Sequence, residues 1–391
     1  MPRLAYSLLV IAACGGGAPS QPDAFVDGGA IQMNDVSILF PLNGAASTYL
    51  AASDAGARGV LLPPALYDAV GHLSGSTGSP PPGGIADAVY GDLHVVAIRI
   101  DPCFGNACDD QLRLVFQEVK DDGSGGATTF DSGLHAFYRI SREDVVTIAH
   151  AIGSLRASNS SGERLGGLAP HPILVTQGMN GAFADGLRTI VLRYAGASNL
   201  VRVTKMSATQ VGFSWEFSGF DVSDANAPHF TPMVIPTLAG AEGQNFFRGF
   251  ANDTIDGQFN PATTSADDLT GLADETHAQS MSPSDRAKAF AALVRIDHPA
   301  HDSPDTIDCA SCHLATPISK LVAPRFGLDE AHADGVFEAD GVHVLPSELG
   351  ATFDPSGPFN LHAFSYVDRS PAINQRTVNE TAAVVELLSA P

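Results

Sequence analysis

The amino-acid sequence predicts an α+β protein, in which a β-rich N-terminal domain with a few helices is followed by a small, mainly α-helical domain. Short runs of Val, Ile, Phe and Leu, bounded by Gly and Asp, recur through the segment 35–262 and are typical of strands. Capped amphipathic helix patterns are prominent in the segment 283–391 instead. The 391 residues are enough for two domains of roughly 100 to 200 residues each.

Four strands and four helices are predicted individually. The strands cover residues 94–100, 112–119, 135–140 and 211–222, and in the last of them alternation places Phe213, Trp215 and Phe217 on one face. One helix begins after the N-cap Ser141, and a second covers 182–194. A third begins after Ser282, which is followed by proline, and ends near residue 296. The fourth begins at a capping box of Thr377 and Glu380 and continues to the end of the chain.

The charge balance excludes one class of partner. Against 43 Asp and Glu the chain has 21 Lys and Arg, so its net charge is −22 at pH 7. Nucleic-acid binding requires a basic surface for the phosphates, and this composition argues against it. The sequence also lacks the Gly-x-Ser-x-Gly, His-Glu-x-x-His and glycine-rich phosphate-binding motifs, so no common enzyme class is indicated.

The N-terminus reads as a secretory signal. Residues 1–13 combine Arg3, an apolar stretch and small residues before Cys14, and the stretch from Ile11 to Cys14 resembles a bacterial lipobox. The resemblance implies that Cys14 is acylated and anchors the protein to a lipid bilayer of the bacterial cell envelope, at the outer membrane or the periplasmic face. Residues 14–34 then form a flexible tether. An ordinary signal peptide, with Cys14 incidental, is the alternative.

Cys103 and Cys108 are predicted to form a small disulfide loop. Gly105 and Asn106 lie between them and can turn the chain, and an exported protein meets oxidising conditions. A redox-active pair is the alternative, but the spacing differs from Cys-x-x-Cys.

The segment Cys309-Ala-Ser-Cys312-His313 has the spacing of the haem c attachment motif. Two intervening residues let each sulfur reach one vinyl group of the porphyrin, and the adjacent His313 can give its imidazole to the iron as the proximal ligand. The alternatives for the two cysteines are a plain disulfide, a thioredoxin-type redox pair and half of a zinc site.

Together with this motif, the helix patterns of residues 283–391 resemble the c-type cytochrome domain. The resemblance implies one covalently bound haem, with a first and a last helix packed against each other around it. The resemblance covers about a quarter of the chain, and its only specific motif is the one at 309–313.

The second axial ligand is left open by the sequence, because the last methionine, Met281, precedes the motif. His362 and His343 have apolar neighbours and are the leading candidates. The other options are Lys320, water, an earlier methionine, or one of the histidines His298, His301 and His332. Arg325 and Arg376 are candidates to pair with the haem propionates. The histidines of the N-terminal domain are predicted to be structural: His94, His135, His150, His171 and His229.

These features predict a membrane-tethered cytochrome that transfers single electrons, with a basic protein as redox partner. A haem enzyme or a gas or peroxide sensor with an open sixth coordination site is one alternative. A surface binding lipoprotein without haem is the other. The sequence assigns no role to residues 35–262.

Overall fold

A large antiparallel β-sheet is the main element of the protein in the computed structural model. The structure describes residues 30–70, 90–104, 108–161, 167–210, 214–223, 230–248, 253–255, 269–273, 275–303, 305–339, 342–343 and 361–389. The strands are β1 (Ser37–Leu39), β2 (Ala55–Gly56), β3 (Gly59–Val60), β4 (Leu93–Asp101), β5 (Gln111–Asp121), β6 (Ala127–Thr129), β7 (Ser132–Arg139), β8 (Leu200–Gln210), β9 (Ser214–Val222), β10 (Phe230–Pro232), β11 (Gly243–Arg248), β12 (Asp253–Ile255), β13 (Glu338–Ala339), β14 (Val342–His343), β15 (Phe364–Val367) and β16 (Ser370–Ile373). Within the described residues the central sheet has ten of these strands, in the order β1-β4-β5-β7-β8-β9-β11-β12, with β6 beside β5 and β10 beside β9. Three further strand pairs, β2–β3, β13–β14 and β15–β16, are separate hairpins.

Ten α-helices lie within the described residues: α1 (Met33–Val36), α2 (Pro64–Ala69), α3 (Arg142–Asn159), α4 (Pro172–Gln177), α5 (Ala182–Tyr194), α6 (Thr270–Ala273), α7 (Glu275–Ser280), α8 (Pro283–Ile296), α9 (Cys309–Phe326) and α10 (Gln375–Ser389). In this part of the chain no helix is both long enough and apolar enough to cross a bilayer. Cys14, the signal segment and most of the tether lie outside the described residues.

The four predicted strands correspond to β4, β5, β7 and β9. The predicted alternation in β9 is confirmed for Trp215 and Phe217, which are both buried, whereas Phe213 lies outside the described residues. The helix caps follow the sequence in two cases: the Ser141 side chain accepts from the Asp144 amide, and that of Ser282 accepts from the Asp285 amide.

The predicted capping box of the last helix is wrong. α10 begins two residues earlier than Thr377, and the Asn374 side chain accepts a hydrogen bond from the Thr377 amide at 2.8 Å. Glu380 instead pairs with Arg99 of β4 and with Arg376, each at 2.8 Å. Two guanidinium groups stabilise a buried carboxylate more strongly than a backbone amide does, because their hydrogen bonds to it are charge-assisted.

The two faces of the sheet carry different layers. Leu134, Ala136 and Tyr138 of β7 belong to a large core that also contains apolar residues of α3 and α5. Side chains alternate along a strand, so the residues between them in β7 point to the opposite face. On that face α8 and α9 pack over β9 and β11, in a second core that includes Trp215 and Phe217.

The prediction of a small, mainly helical cytochrome c-like domain after the β-rich region is wrong. Phe364, Ile373 and Val378 are buried in the same core as the sheet and α3. Gln117 of β5 binds the backbone of Tyr366 in β15 twice, donating to its carbonyl at 2.8 Å and accepting from its amide at 2.9 Å. The apolar faces of the C-terminal helices are buried against the sheet as well as against each other. The C-terminal segment is therefore a layer on the sheet.

Candidate cofactor site

The pentapeptide Cys309 to His313 forms the first turn of α9, and its N-terminus is held by buried polar groups. Asp308 is the N-cap, and its Oδ1 accepts from the Ser311 amide at 2.9 Å. The side chain of Gln244, on β11, donates to the same oxygen at 2.6 Å and accepts from the Ala310 amide at 2.8 Å. Gln244 thus forms hydrogen bonds both with the capping carboxylate and with a backbone amide of the first turn that has no partner within the helix. These bonds hold the start of α9 against the sheet.

Cys309, Cys312 and His313 line one cleft between α9 and the sheet. Residues at positions i, i+3 and i+4 of a helix lie on one face, which is why the motif presents all three side chains together once this segment is helical. Only about 100 Å³ of this cleft is open to the centre of a water molecule, below the roughly 300 to 1,000 Å³ of common small-molecule and cofactor sites, so a haem would require the cleft to widen.

His313 has a defined orientation. Its Nδ1 lies 2.5 Å from the Leu361 carbonyl oxygen, and since a carbonyl only accepts, Nδ1 carries the proton and donates. Its Nε2 has no hydrogen-bond partner among the described residues. The ring also contacts Phe217, with the centroids 5.0 Å apart. Burial lowers the pKa of His313 to about 4, so the imidazole is neutral at pH 7 and Nε2 has a free lone pair.

The two cysteines are free thiols and are not joined to each other. Burial in the cleft raises the pKa of Cys309 to about 12 and that of Cys312 to about 11, so both are protonated at neutral pH. A thioredoxin-type nucleophile requires a lowered thiol pKa, the opposite of what burial does here. Among the described residues no group of three or more His, Cys, Asp and Glu is arranged to hold a metal ion, whereas a structural zinc would require four ligands.

The wall opposite α9 consists of alternate residues of neighbouring strands. The pairing places His135 of β7 beside Thr204 of β8, and Phe137 beside Arg202. On this face the sheet also contributes Arg99, Arg113, Gly133, Met206 and Phe217 to the lining of the cleft. His135 is half-buried, and neither of its ring nitrogens has a hydrogen-bond partner among the described residues. Burial and the charge of Arg113 hold its pKa well below the ordinary value.

His362, a leading candidate for the second axial ligand, also lines the cleft. Both of its ring nitrogens are already bonded: Nε2 lies 3.0 Å from Asp131 Oδ1, and Nδ1 lies 2.7 Å from Ser365 Oγ. The second oxygen of Asp131 accepts from the Trp215 indole at 3.1 Å. This buried network holds the chain on the C-terminal side of Leu361, the residue whose carbonyl orients His313.

The other candidate ligands lie elsewhere. His343 is in β14, and its side chain is outside the described part of the structure. The exposed His332 is bonded to Asp329, and Lys320 lies near Glu330. The remaining candidates, which are not among the residues that line the cleft, are Met281, His298 and His301.

The arginines near the cleft form a balanced ion-pair network. Arg376 donates to the carbonyls of Ile296 at 2.5 Å and Asp302 at 2.7 Å, in addition to its pairing with Glu380. Three further arginines line the same cleft, and each has a carboxylate within 3 Å: Arg99 with Glu380, Arg113 with Asp101, and Arg202 with Asp221 and Asp305. Arg376 thus links α10 to the loop after α8. Arg325 is near the end of α9, about 24 Å along the helix from Cys309, and does not line the cleft.

The predicted disulfide between Cys103 and Cys108 is confirmed, with a Cα–Cα distance of 5.5 Å. It lies beside a groove that adjoins the cleft and shares Arg113 and Arg202 with it. The exposed ring of Phe104 lies on the same loop.

Comparison with known proteins identifies no relative. No family model matches the chain, no curated protein is similar to it, and no solved structure matches it. The interpretation of the cleft therefore rests on its own residues.

Sequence reasoning found the three residues of α9, together with His362 and Arg376 of the lining, and missed other residues that surround them. His135, Gln244 and Leu361 come from β7, β11 and a loop. Strand alternation could have placed His135 and Phe137 on one face, but no local pattern shows which face meets α9.

Proposed function

We propose that this protein covalently binds one haem c through Cys309 and Cys312, with His313 as an axial ligand of the iron, and that it transfers single electrons. One observation supports this more than any other. Two free thiols and a neutral imidazole with an unpartnered Nε2 line the same cleft, at the spacing that haem attachment requires. When bound, the haem would supply a reversible one-electron couple at its iron.

The surrounding residues fit the cofactor. The donor set is two thiols and one nitrogen, which suits a haem because the porphyrin itself provides four nitrogen ligands. The Leu361 carbonyl accepts the Nδ1 proton of His313, which fixes the tautomer that leaves Nε2 free for a metal. Phe217 contacts the same ring and restricts its rotation. These partners hold the His313 ring in place before the cofactor arrives.

The rigidity of the helix start also supports the proposal. Asp308 and Gln244 are both fully buried, and their hydrogen bonds hold the first turn of α9 against β11. Both thiols are therefore held on one side of the cleft. A site with a fixed geometry suits electron transfer, since the reorganisation energy of the protein stays small.

We further propose that the protein is exported and tethered to the bacterial envelope by acylation of Cys14. Covalent attachment keeps the cofactor bound in an environment where a dissociated haem would be lost. A net charge of −22 would attract a basic redox partner over about one Debye length, roughly 8 to 10 Å at physiological salt. The role of residues 35–262 is partly structural on this proposal, because their sheet provides one wall of the cleft.

The proposal is tested by the mass and the colour of the protein, produced in a host that matures c-type cytochromes. We expect the mature chain to weigh its lipidated polypeptide plus one haem, and the colour to remain with the protein after acid-acetone extraction. The double substitution C309A/C312A should abolish the covalent colour. The matched control C103A/C108A removes the other two nearby cysteines and should retain it. A wild-type chain with no porphyrin mass would overturn the proposal.

Electron transfer is tested separately by voltammetry of the purified, haem-loaded protein. We expect one reversible one-electron wave, which a haem used for catalysis on a bound substrate need not show. A haem-loaded protein without a reversible wave would argue for the enzyme or sensor alternative. The salt dependence of electron exchange with a basic partner protein should show slower rates at high ionic strength.

A further inference from the structure

The second axial position of a haem bound at His313 requires a side chain with a free lone pair that faces the same cleft. Among the described residues that line it, His362 does not meet this requirement as placed, because Asp131 and Ser365 occupy its two ring nitrogens. Met206 is buried in the core beneath α9, beside Trp215 and Phe217. The sulfur of Met233 lies close to Gly219, within 2.8 Å of where a Cβ atom on that glycine would stand. Lys205 also lines the cleft and interacts with the charge of Glu216. Besides His313, the lining histidines are His135 and His362, and of these two only His135 has ring nitrogens without a hydrogen-bond partner among the described residues.

His135 occupies a position that suits a ligand. It lies in the middle of β7, which is paired with β5 on one side and β8 on the other, so its backbone is held on both edges. Its neighbours on the same face are Gly133, which has no side chain, and Phe137. Its ring lies 6.4 Å from that of Phe137 between centroids, and neither nitrogen has a hydrogen-bond partner among the described residues.

The two histidines approach the cleft from opposite walls. His313 belongs to α9, and His135 belongs to the sheet that faces this helix. A strand embedded between two others cannot move toward a ligand without breaking its ladder, so the position of His135 is set by the fold. Sequence separation between the two residues is large, and only the packing of α9 on the sheet brings them to one site.

We propose that His135 is the second axial ligand of the haem iron, on the face opposite His313, so that the site holds a bis-histidine haem. This inference rests on the haem attachment proposed above and goes beyond it. Two protein ligands would leave no vacant position at the iron for carbon monoxide, oxygen or peroxide, which favours electron transfer over chemistry on a bound ligand. Bis-histidine ligation also gives a lower reduction potential than histidine with methionine, because methionine favours ferrous iron.

The test uses the full, haem-loaded chain and four variants. H135A removes the imidazole, and H135M offers a thioether from the same position. H150A is the matched control, since His150 is a half-buried histidine of α3 that does not line the cleft. M233L removes the competing sulfur at nearly constant volume. The measurements are the attached mass, the absorption and electron paramagnetic resonance spectra, the response of the reduced protein to carbon monoxide, and the reduction potential.

For the wild type and H150A we expect a low-spin, six-coordinate spectrum in both oxidation states and no response to carbon monoxide. H135A should become high-spin and bind carbon monoxide. H135M should show the long-wavelength charge-transfer band of a ferric haem with a methionine ligand, and a higher potential than the wild type. A change in packing alone would not produce that band, so H135M distinguishes ligation from a structural role. H135M also tests whether His135 is a ligand of the iron if the H135A protein does not accumulate.

Two results would overturn the inference while the haem remains. One is an H135A protein that stays low-spin and does not bind carbon monoxide. The other is an M233L protein that alone becomes high-spin, which would identify a methionine ligand. Absence of the haem mass in the wild type is a different failure, because thioether attachment does not depend on the second axial ligand. That result would refute the proposed function and this inference together.

Discussion

Replacement of Asp308 by asparagine is expected to stabilise the protein at neutral pH and to have a much smaller effect near pH 4.5. The carboxyl group is fully buried, and this burial raises its pKa from 3.8 to about 6, against the opposing effect of its hydrogen bonds to Ser311 and Gln244. An ionised group in this place therefore makes the folded state less stable. Between about pH 4 and pH 6 the folded protein holds a proton that the unfolded chain has released, so stability falls as the pH rises.

The size of the effect follows from the two pKa values. The difference between these two pKa values makes the folded state less stable than at low pH, by about 3 kcal/mol at pH 7 and by about 1 kcal/mol at pH 4.5. Asparagine can keep the local hydrogen bonds. Its oxygen would accept from the Ser311 amide and from Gln244, which now lie 2.9 Å and 2.6 Å from Oδ1, and its amide could donate to the Ser311 hydroxyl. The stability of D308N relative to the wild type should therefore be about 2 kcal/mol greater at pH 7 than at pH 4.5.

The assay is urea unfolding of the protein, followed by circular dichroism at both pH values. D285N is the control, because Asp285 is an exposed carboxylate in the first turn of α8. It corrects for the loss of one negative charge from an acidic protein. A stability difference between D308N and the wild type that is the same at pH 4.5 and pH 7 would refute the reasoning, since it would show that the carboxyl group does not titrate abnormally in the folded state.

Three further predictions concern other parts of the chain. E380Q should destabilise the protein by about 3 to 5 kcal/mol in urea unfolding, because it removes the carboxylate shared by the buried guanidinium groups of Arg99 and Arg376, and Arg99 keeps only Asp101 at 3.4 Å. E386Q on the exposed side of the same helix should change stability little. The pKa of Glu380 is lowered to about 2 by its arginine neighbours despite its burial, so its contribution is present above pH 4.5 and is lost as the pH falls toward 2. C103A/C108A should lower the unfolding free energy by about 2 kcal/mol, as loop-closure entropy gives for so short a loop, and a larger loss would mean that the disulfide supports more than its own loop. C14A should move the protein from the membrane fraction to the soluble fraction, and its retention in the membrane would contradict lipid anchoring through that residue.

Local sequence signals predicted individual elements well. Ser141 and Ser282 cap helices where their side chains were expected to, because the competition for a free amide is settled within one helical turn. The same local reasoning failed at Thr377. There the local pattern predicted that the Glu380 side chain accepts a hydrogen bond from a backbone amide at the start of the helix. Glu380 instead binds Arg99, which lies 281 residues away in the chain.

The arrangement of the elements could not be predicted in the same way. The contact between Gln117 and Tyr366 joins residues 249 positions apart, and it is one of those that make the C-terminal segment part of the sheet's core. Neither residue carries a periodic signal for the other. Amphipathic patterns in α8 and α10 show that each helix has a face to bury, but the pattern is the same whether that face meets another helix or a sheet.

The sequence alone determined the two cysteines and the histidine of the candidate site, since their spacing depends only on the geometry of one helical turn. It also determined the small disulfide loop, which needs a few residues and a turn. The tertiary structure decided that a sheet and not a helix forms the far wall of the cleft, and that His135 lines this cleft together with His313 while His362 is held by Asp131. The physical reason is that these relations depend on which surfaces pack together, and packing is settled by contacts between segments hundreds of residues apart.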